Sequence, residues 1–235
     1  MVEQAVPTRR EQRRAETLQE ITALAMDQIA TNGPDSLSLN GVARAMNMSP
    51  AAIYRYFDGR DALLTQLVVD AYDSLADALE AAAQTTDDVR ERLILIMNTS
   101  HTWALAHPNA YRLIFQSHAG SGQDLAPART IPASSRSMST LLGALAEADG
   151  LAQSDDEDPS TPKSPLHTQL GHWAERAGHA DLSPRVVALG LSAWTRLHGI
   201  ISLELGHHLT STGIDPALLY AAEIDALVEQ AFSPT

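Results

Sequence analysis

The hydrophobic positions of the chain recur at intervals of three and four residues, which predicts helices from one end to the other. Over residues 15–31 the apolar side chains form a single stripe, and the Asn-Gly-Pro sequence at 32–34 ends it. A short helix is predicted over residues 39–46, because Ser38 is a good N-cap and the apolar residues that follow can face inward. Two amphipathic helices therefore open the chain.

A tight turn and a third helix are predicted next. Asn47 tolerates the left-handed conformation that closes a helix, Ser49 can cap the following helix, and Pro50 suits a first helical position. Ile53 and Phe57 lie one turn apart, so we expect both to be buried on a face that seals against the first two helices. The sequence predicts a helix-turn-helix.

The rest of the chain continues the helical pattern, with two interruptions. Residues 117–135 are rich in Ser, Gly, Pro and Ala and are predicted to form a loop, and the acidic, proline-rich run at 148–165 is predicted to form a mobile surface loop. The predicted helices cover residues 61–84, 89–106, 109–116, 136–147, 166–177, 184–209 and 216–232. Strand-like alternation and long repeats are absent from the sequence, so the predicted fold class is all-α.

Composition restricts the kind of protein. The chain of 235 residues is 44% hydrophobic, which is enough for a sizeable core, and it contains no cysteine, which excludes disulfides and thiolate-bound metals. No uninterrupted apolar run approaches the length of a membrane span, and the N-terminus does not resemble a signal peptide. We expect a soluble, cytoplasmic protein that does not associate with membranes.

The charge is unevenly distributed. Residues 1–60 contain seven Arg and seven acidic residues, whereas residues 61–235 contain nine basic and 22 acidic residues and carry the whole formal net charge of −13. Such a division suits a protein of which one end contacts a polyanion, although an acidic surface also simply keeps soluble proteins apart. Residues 7–16 are predicted to form a short polar arm that leads into the first helix, and its four arginines, at positions 9, 10, 13 and 14, could contact phosphates.

The third predicted helix has small residues beside basic and aromatic ones. Ala51 and Ala52 would let it approach the floor of the major groove, where Arg55 could reach the O6 and N7 atoms of guanine. Hydroxyl groups of Tyr54 and Tyr56 could bond phosphate oxygens. The alternative is that both tyrosines are half-buried packing residues.

The segment SLNGVARAMNMSPAAIYRYFDGRDALL, residues 38–64, resembles the DNA-binding segment of the tetracycline-repressor (TetR) family of bacterial transcription regulators. Two positions depart from the family pattern, since Asn47 replaces a usual Gly and Arg60 a usual Lys. The resemblance implies a DNA-binding domain over residues 1–60 and a helical ligand-binding and dimerisation domain over residues 61–235. The predicted DNA contacts, including the arm, are Arg10, Arg13, Arg14, Ser38, Asn40, Ser49, Ala51, Ala52, Tyr54, Arg55, Tyr56 and Arg60.

Two later segments resemble a C-terminal subclass of the same family. They are WTRLHG at 194–199, a Trp-x-x-x-His-Gly signature, and HPNAYRLIF at 107–115. The resemblance implies a homodimer joined through the last two helices, a palindromic double-stranded DNA operator, and a small-molecule effector in the helical body. The residues that could line the effector site, unless they are ordinary core, are Met97, His101, Trp103, Tyr111, Phe115, Met138, Trp173, Trp194 and His198.

Motifs for catalysis or metal binding are missing from the sequence. His167 and His172 are spaced poorly for one helical face, and there is no His-Glu-x-x-His, Gly-x-Ser-x-Gly or phosphate-binding glycine loop. We therefore expect neither a cofactor nor a metal. The favoured function is a DNA-binding transcriptional regulator, most often a repressor in this family, and the alternative is an all-helical enzyme or metal-dependent binding protein.

Overall fold

The computed structural model describes residues 8–116, 125–152 and 164–233. Within these ranges the chain forms ten α-helices, two short 3₁₀ turns and no strand, which confirms the all-α prediction. The helices are α1 (Arg9–Asn32), α2 (Leu39–Ala45), α3 (Pro50–Ile53), α4 (Arg60–Ala83), α5 (Val89–Ala106), α6 (Pro108–Phe115), α7 (Pro127–Leu151), α8 (Pro165–Ala177), α9 (Pro184–Leu205) and α10 (Pro216–Phe232). The 3₁₀ turns are Pro34–Ser36 and Thr210–Thr212.

The chain divides into two compact units. In the described ranges, the first unit contains residues 8–71, 109–116 and 125–131, and the second contains residues 72–108, 132–152 and 164–233. Helices α4 and α7 contribute residues to both units. The domain boundary predicted at residue 60 stays a prediction.

The core of the first unit joins α1 to the two short helices that follow it. Ile21, Ala25 and Ile29 are the buried residues of α1, and α1 packs on α2 through this stripe. Val42 of α2 and Ile53 of α3 are fully buried where these helices meet. Burial of each such aliphatic side chain contributes about 1.5–3 kcal/mol, so α1 supplies the support that two helices of seven and four residues lack by themselves.

The second unit is built around α9. This helix packs on α5, α8 and α10, and eight of its residues are buried. Tyr220 of α10 reaches into the core and donates its hydroxyl hydrogen to the backbone carbonyl of Met97 on α5, with an O···O distance of 2.9 Å. The buried phenol is therefore satisfied, and it links the two helices.

A group of ion pairs around one arginine joins α4 and α7 within the second unit. The guanidinium of Arg136 donates to Asp73, Asp77 and Glu80, at distances of 2.9, 2.7 and 2.8 Å. The three carboxylates follow each other at four- and three-residue steps and so lie on one face of α4. Hydrogen bonds to Glu80, Asp77 and Asp73 raise the pKa of Arg136.

One described helix is long and apolar enough to cross a membrane by length and composition alone. This is α9, with a mean hydropathy of 1.4 over its best window. Its packing against three other helices explains this composition, since the core helix of a globular unit passes the same test.

Several predicted boundaries are wrong. The predicted arm at residues 7–16 is helical from Arg9 onward, and the predicted loop at 117–135 is helical from Pro127 onward. Helix α7 continues four residues past Glu147, to Leu151, and α9 ends at Leu205, before the left-handed His207. The parts of the two predicted loops at residues 117–124 and 153–163 lie outside the described residues.

Candidate nucleic-acid interface

The turn between α2 and α3 has the conformation that the sequence predicts. Ser38 caps α2, since its Oγ accepts a hydrogen bond from the amide of Gly41 at 3.2 Å. After α2, Asn47 adopts a left-handed φ of 53°, and the amide of Met48 bonds the carbonyl of Ala43 at 2.8 Å. The backbone thus reverses within four residues, which places α3 directly against α2.

Helix α3 is shorter than predicted. It has only one turn, Pro50–Ile53, and is followed by tight turns in which the amides of Tyr56 and Phe57 both bond the carbonyl of Ile53. Ile53 and Phe57 are buried, as predicted. Ser49 occupies the N-cap position in an extended conformation, but its side chain makes no capping hydrogen bond. The Ser49 hydroxyl is therefore not committed to holding the helix.

The surface of α2 and α3 presents the side chains that the sequence assigned to DNA. Ser38, Asn40, Ala51 and Arg55 are exposed, and Tyr54 keeps 49% of its surface accessible. Tyr54 is thus more exposed than Tyr56. Ala52 and Tyr56 are half-buried, and the guanidinium carbon of Arg14 lies 5.0 Å from the ring centroid of Tyr56, a cation–π contact.

Four arginines form one wall of a cleft beside α3. Since residues of an α-helix advance by about 100° each, positions 9, 10, 13 and 14 lie within about 140° of arc on α1. They border an open cleft of about 650 Å³, which is also lined by residues of the turn, of α3 and of the segment that follows α3. The lining residues are Arg9, Arg10, Arg13, Arg14, Thr17, Met48, Ala52, Arg55 and Tyr56. Five guanidinium groups along one concave surface give it a positive potential, which attracts anions.

The first turn of α1 is fixed by a capping box. Thr8 Oγ1 accepts from the amide of Glu11 at 3.3 Å, and the Glu11 carboxylate accepts from the amide of Thr8 at 2.7 Å. The hydrogen bonds from Thr8 lower the pKa of Glu11. Both halves of the box satisfy amides that the helix itself leaves without partners, so the arginines stand on an ordered helix.

Arg60 is engaged within the chain. Its Nη2 donates to the carbonyl of Pro34 at 2.9 Å and lies 3.5 Å from Asp35 Oδ1, while Nη1 bonds Asp61 Oδ1 at 3.1 Å. The guanidinium therefore joins the start of α4 to the turn that precedes α2. A phosphate contact by Arg60 must compete with these partners, and its role on DNA stays a prediction.

Two of the predicted effector-site residues, His101 and Met97, both contact Tyr220 in the core of the second unit. Nε2 of His101 lies 2.7 Å from Oε2 of Glu204, and its ring stacks on Tyr220 with centroids 4.3 Å apart. Tyr220 in turn bonds the carbonyl of Met97. Sequence reasoning missed Glu204 and Tyr220, because nothing in the spacing of α5 indicates which residues of α9 and α10 lie opposite.

The remaining predicted effector-site residues form separate contacts. Trp103 donates its indole N–H to Ser74 Oγ at 3.1 Å, and Trp194 and His198 lie with ring centroids 5.4 Å apart. Burial lowers the pKa of His198 to about 4. Trp173 packs on the cluster around Leu170, and Met138 is half-buried. A common cavity for these residues stays a prediction.

Two residues of the predicted effector site lie in the first unit. Tyr111 and Phe115 are one turn apart on α6, and their ring centroids lie 5.0 Å apart. Tyr111 is buried and Phe115 is half-buried.

As for metals, the described ranges contain no group of three His, Cys, Asp or Glu side chains that could hold an ion.

Comparison with known proteins identifies the chain. A family model described as "Tetracyclin repressor-like, C-terminal domain" matches residues 93–227, and one described as "Bacterial regulatory proteins, tetR family" matches residues 21–67. The chain belongs to the TetR family. Members of this family are DNA-binding transcriptional regulators and not enzymes, so the predicted class of function is confirmed.

Individual TetR-family relatives extend the likeness over most of the chain. It is 31% identical over 213 residues to the HTH-type transcriptional regulator Mb1846 of Mycobacterium bovis, covering 88% of this chain and 89% of that protein. The regulatory protein SCO4313, known from a crystal structure, is 35% identical in sequence, and the two structures superpose with a TM-score of 0.75 over 94% of this chain and 98% of SCO4313. FadR of Bacillus subtilis, solved with stearoyl-CoA, shares the fold at 15% identity and a TM-score of 0.56, covering 90% and 98%.

Proposed function

We propose that the chain is a homodimeric, sequence-specific repressor in the cytoplasm, which binds a palindromic operator and is released by a small molecule held in its helical body. One observation carries the DNA-binding part of the proposal: Arg55, which is exposed two residues after α3, lines the same cleft as Ala52 of α3 and the four arginines of α1. Base contacts near α3 and phosphate contacts from α1 can therefore be made together.

The roles of individual residues follow from their positions. Ala51, Ala52 and Arg55 are assigned to base edges, because small side chains permit close approach and a guanidinium can bond guanine in a bidentate manner. Phosphate contacts are assigned to Arg10, Arg13 and Arg14 of α1, to Ser38 and Asn40 at the start of α2, and to Ser49, Tyr54, Tyr56 and Arg60. The free hydroxyl of Ser49 and the exposed ring of Tyr54 support these assignments.

Dimerisation through α9 and α10 is supported by the exposed surface of these helices. Leu218, Ala222 and Ala226 of α10 follow each other at four-residue steps and are all exposed, and Leu218 is 71% accessible. On α9, Gly199 is exposed, and a Cβ atom placed on it would meet nothing within 4 Å. Small and apolar residues in rows allow close helix packing, and a two-fold axis would give two reading helices the symmetry of a palindrome.

An effector site in the second unit is supported by the polar network in its core. His101, Glu204 and Tyr220 join three helices, α5, α9 and α10, through polar atoms. A molecule that replaced one of these contacts would act on all three helices. It would release DNA only if it bound the DNA-free conformation more tightly than the DNA-bound one.

The test is selection of genomic DNA fragments by the purified protein, with Arg55→Ala as the matched variant. We expect the wild-type chain to enrich fragments that share an inverted repeat, and Arg55→Ala, which removes one base contact from each half, to bind that repeat at least about 30-fold more weakly with relaxed preference at one base pair in each half. Sedimentation of the protein–DNA complex gives the number of copies bound. Enrichment without a common sequence would refute sequence-specific binding, and a single bound copy would refute the dimer.

A further inference from the structure

The first turn of α2 is capped by a residue from another helix. In an ordinary capping box, the side chain of a Glu or Gln at the third helical position accepts a hydrogen bond from the amide of the N-cap residue. In α2 the N-cap is Ser38 and the third position is Gly41, which has no side chain. The amide of Ser38 instead donates to Oε1 of Gln28, on α1, at 3.1 Å.

Gln28 also occupies the space that a side chain at residue 41 would need. A Cβ atom placed on Gly41 would lie 2.9 Å from Nε2 of Gln28, closer than real Cβ contacts allow. The two residues therefore depend on each other: the glycine makes room for the amide, and the amide supplies the acceptor that the glycine lacks. The reciprocal half of the box is intact, because Ser38 Oγ accepts from the Gly41 amide.

The backbone of Gln28 holds the same connection from the other side. Its carbonyl lies 3.2 Å from Ser36 Oγ, whose single hydrogen is shared with the nearer carbonyl of Gly33 at 2.6 Å, so one residue of α1 contacts both Ser36 and Ser38 across the turn that leads into α2. Between them Leu37 is buried and anchors the turn in the core. The stronger of the two contacts is the hydrogen bond to the Ser38 amide, which lies two residues before the exposed side chain of Asn40.

We infer that Gln28 is a positioning residue for DNA recognition, which completes the capping box of α2 from α1 and sets the place of Ser38 and Asn40 on the operator. This inference rests on the proposed contact of those two residues with DNA. Gln28 itself touches no nucleotide in this scheme. A change at residue 28 therefore acts on DNA only through the geometry of α2.

The experiment measures operator affinity, well below the melting temperature, for Gln28→Met and for the double variant Gln28→Ala/Gly41→Gln. Methionine keeps the length of the side chain and removes the acceptor, so we expect a 2- to 10-fold loss of affinity, the equivalent of one net hydrogen bond. The double variant returns the acceptor to the third helical position and should recover affinity to within about twofold of wild type.

A third variant tests the steric half of the inference. Gly41→Ala alone should weaken operator binding, because the new methyl group displaces the Gln28 amide, whereas Gly41→Ala in a Gln28→Ala background should cause no further loss relative to Gln28→Ala. Hydrogen exchange of the Ser38 amide reports local opening at the entry of α2 when it is compared with amides of the buried helix α9: in Gln28→Met the Ser38 amide should exchange faster while the α9 amides keep their wild-type rates.

The outcomes separate this inference from the proposed function. If the wild-type chain fails to select an operator, the proposed function fails. If it does bind an operator and Gln28→Met binds equally well, or if Gly41→Ala has the same effect in both backgrounds, Gln28 has no positioning role. Loss of affinity in Gln28→Met with unchanged exchange of the Ser38 amide would also overturn the inference.

Discussion

Replacement of Arg13 by alanine isolates the contribution of the arginine wall to DNA binding. Arg13 lines the cleft beside α3, and its side chain is exposed. Alanine is a better helix former than arginine at such a position of α1. The helix should therefore persist while one guanidinium is removed from each protomer. The variant changes the charge facing the phosphates and little else.

The magnitude follows from counterion release. Each phosphate contact contributes about 0.9 to the slope of log K against log salt concentration, so a dimer that loses one contact per protomer should lose about 1.8 from the slope. Between roughly 50 and roughly 200 mM salt, one contact changes affinity about 3.5-fold and two contacts about 12-fold. Fluorescence anisotropy of a labelled operator across this range measures the slope directly.

Arg176→Ala is the matched control. Arg176 is exposed on α8 in the second unit, so its loss changes the net charge by the same amount without altering the cleft. We expect an unchanged slope for this variant. An equal slope in Arg13→Ala and wild type, or equal flattening in both variants, would refute the assignment of Arg13 to phosphate.

Three further predictions concern single residues. Arg60→Ala should lower the unfolding free energy by about 0.5–1.5 kcal/mol, because the hydrogen bond from Arg60 to the Pro34 carbonyl is lost while that from the Leu37 amide remains, and should flatten the salt slope of DNA binding; an unchanged slope would show that Arg60 has a structural role only. Gly190→Ala should destabilise the chain by about 1–3 kcal/mol in chemical denaturation, since its Cβ would overlap the fully buried Leu142, whereas Gly143→Ala, which meets nothing, should be neutral or stabilising. Burial lowers the pKa of His198 to about 4, so as the pH falls this histidine is protonated in the unfolded chain before it is protonated in the folded one. The unfolding free energy is therefore unaffected by this residue above about pH 6.5, and it falls by up to about 1.4 kcal/mol per pH unit as the pH drops towards 4. His198→Gln should flatten that pH dependence, and an unaltered profile would contradict the assignment.

The predicted helix-turn-helix is confirmed, apart from the length of α3 and the cap at Ser49, because its signals are local. Asn47 at a left-handed φ, the cap at Ser38 and the buried pair Ile53 and Phe57 each follow from residue chemistry within a few positions. The start of α1 was also readable, since Thr8-x-x-Glu11 is a capping box, but the run of arginines suggested an extended arm. Arginine is itself a good helix former, and the capped first turn offsets the repulsion between the charges.

Other features required the three-dimensional structure. Proline inside a helix removes one hydrogen bond and normally ends it, so the prolines of residues 117–135 predicted a loop, yet Pro132 lies within α7. The buried side chains of Thr130 and Ala133 flank it and help to hold the helix. Contacts between distant helices, such as His101 with Glu204 or Gln28 with Ser38, leave no periodic signal in one sequence.

The capped start of α1 affects the thermodynamics of association. A disordered basic tail must lose backbone freedom when it lies along a duplex, at a cost of about 1–2 kcal/mol per residue. In this chain residues 9–14 are already helical, so that loss has occurred during folding. Docking of the cationic surface should therefore proceed as a nearly rigid encounter, fast at low ionic strength and with only a small heat-capacity change from this segment.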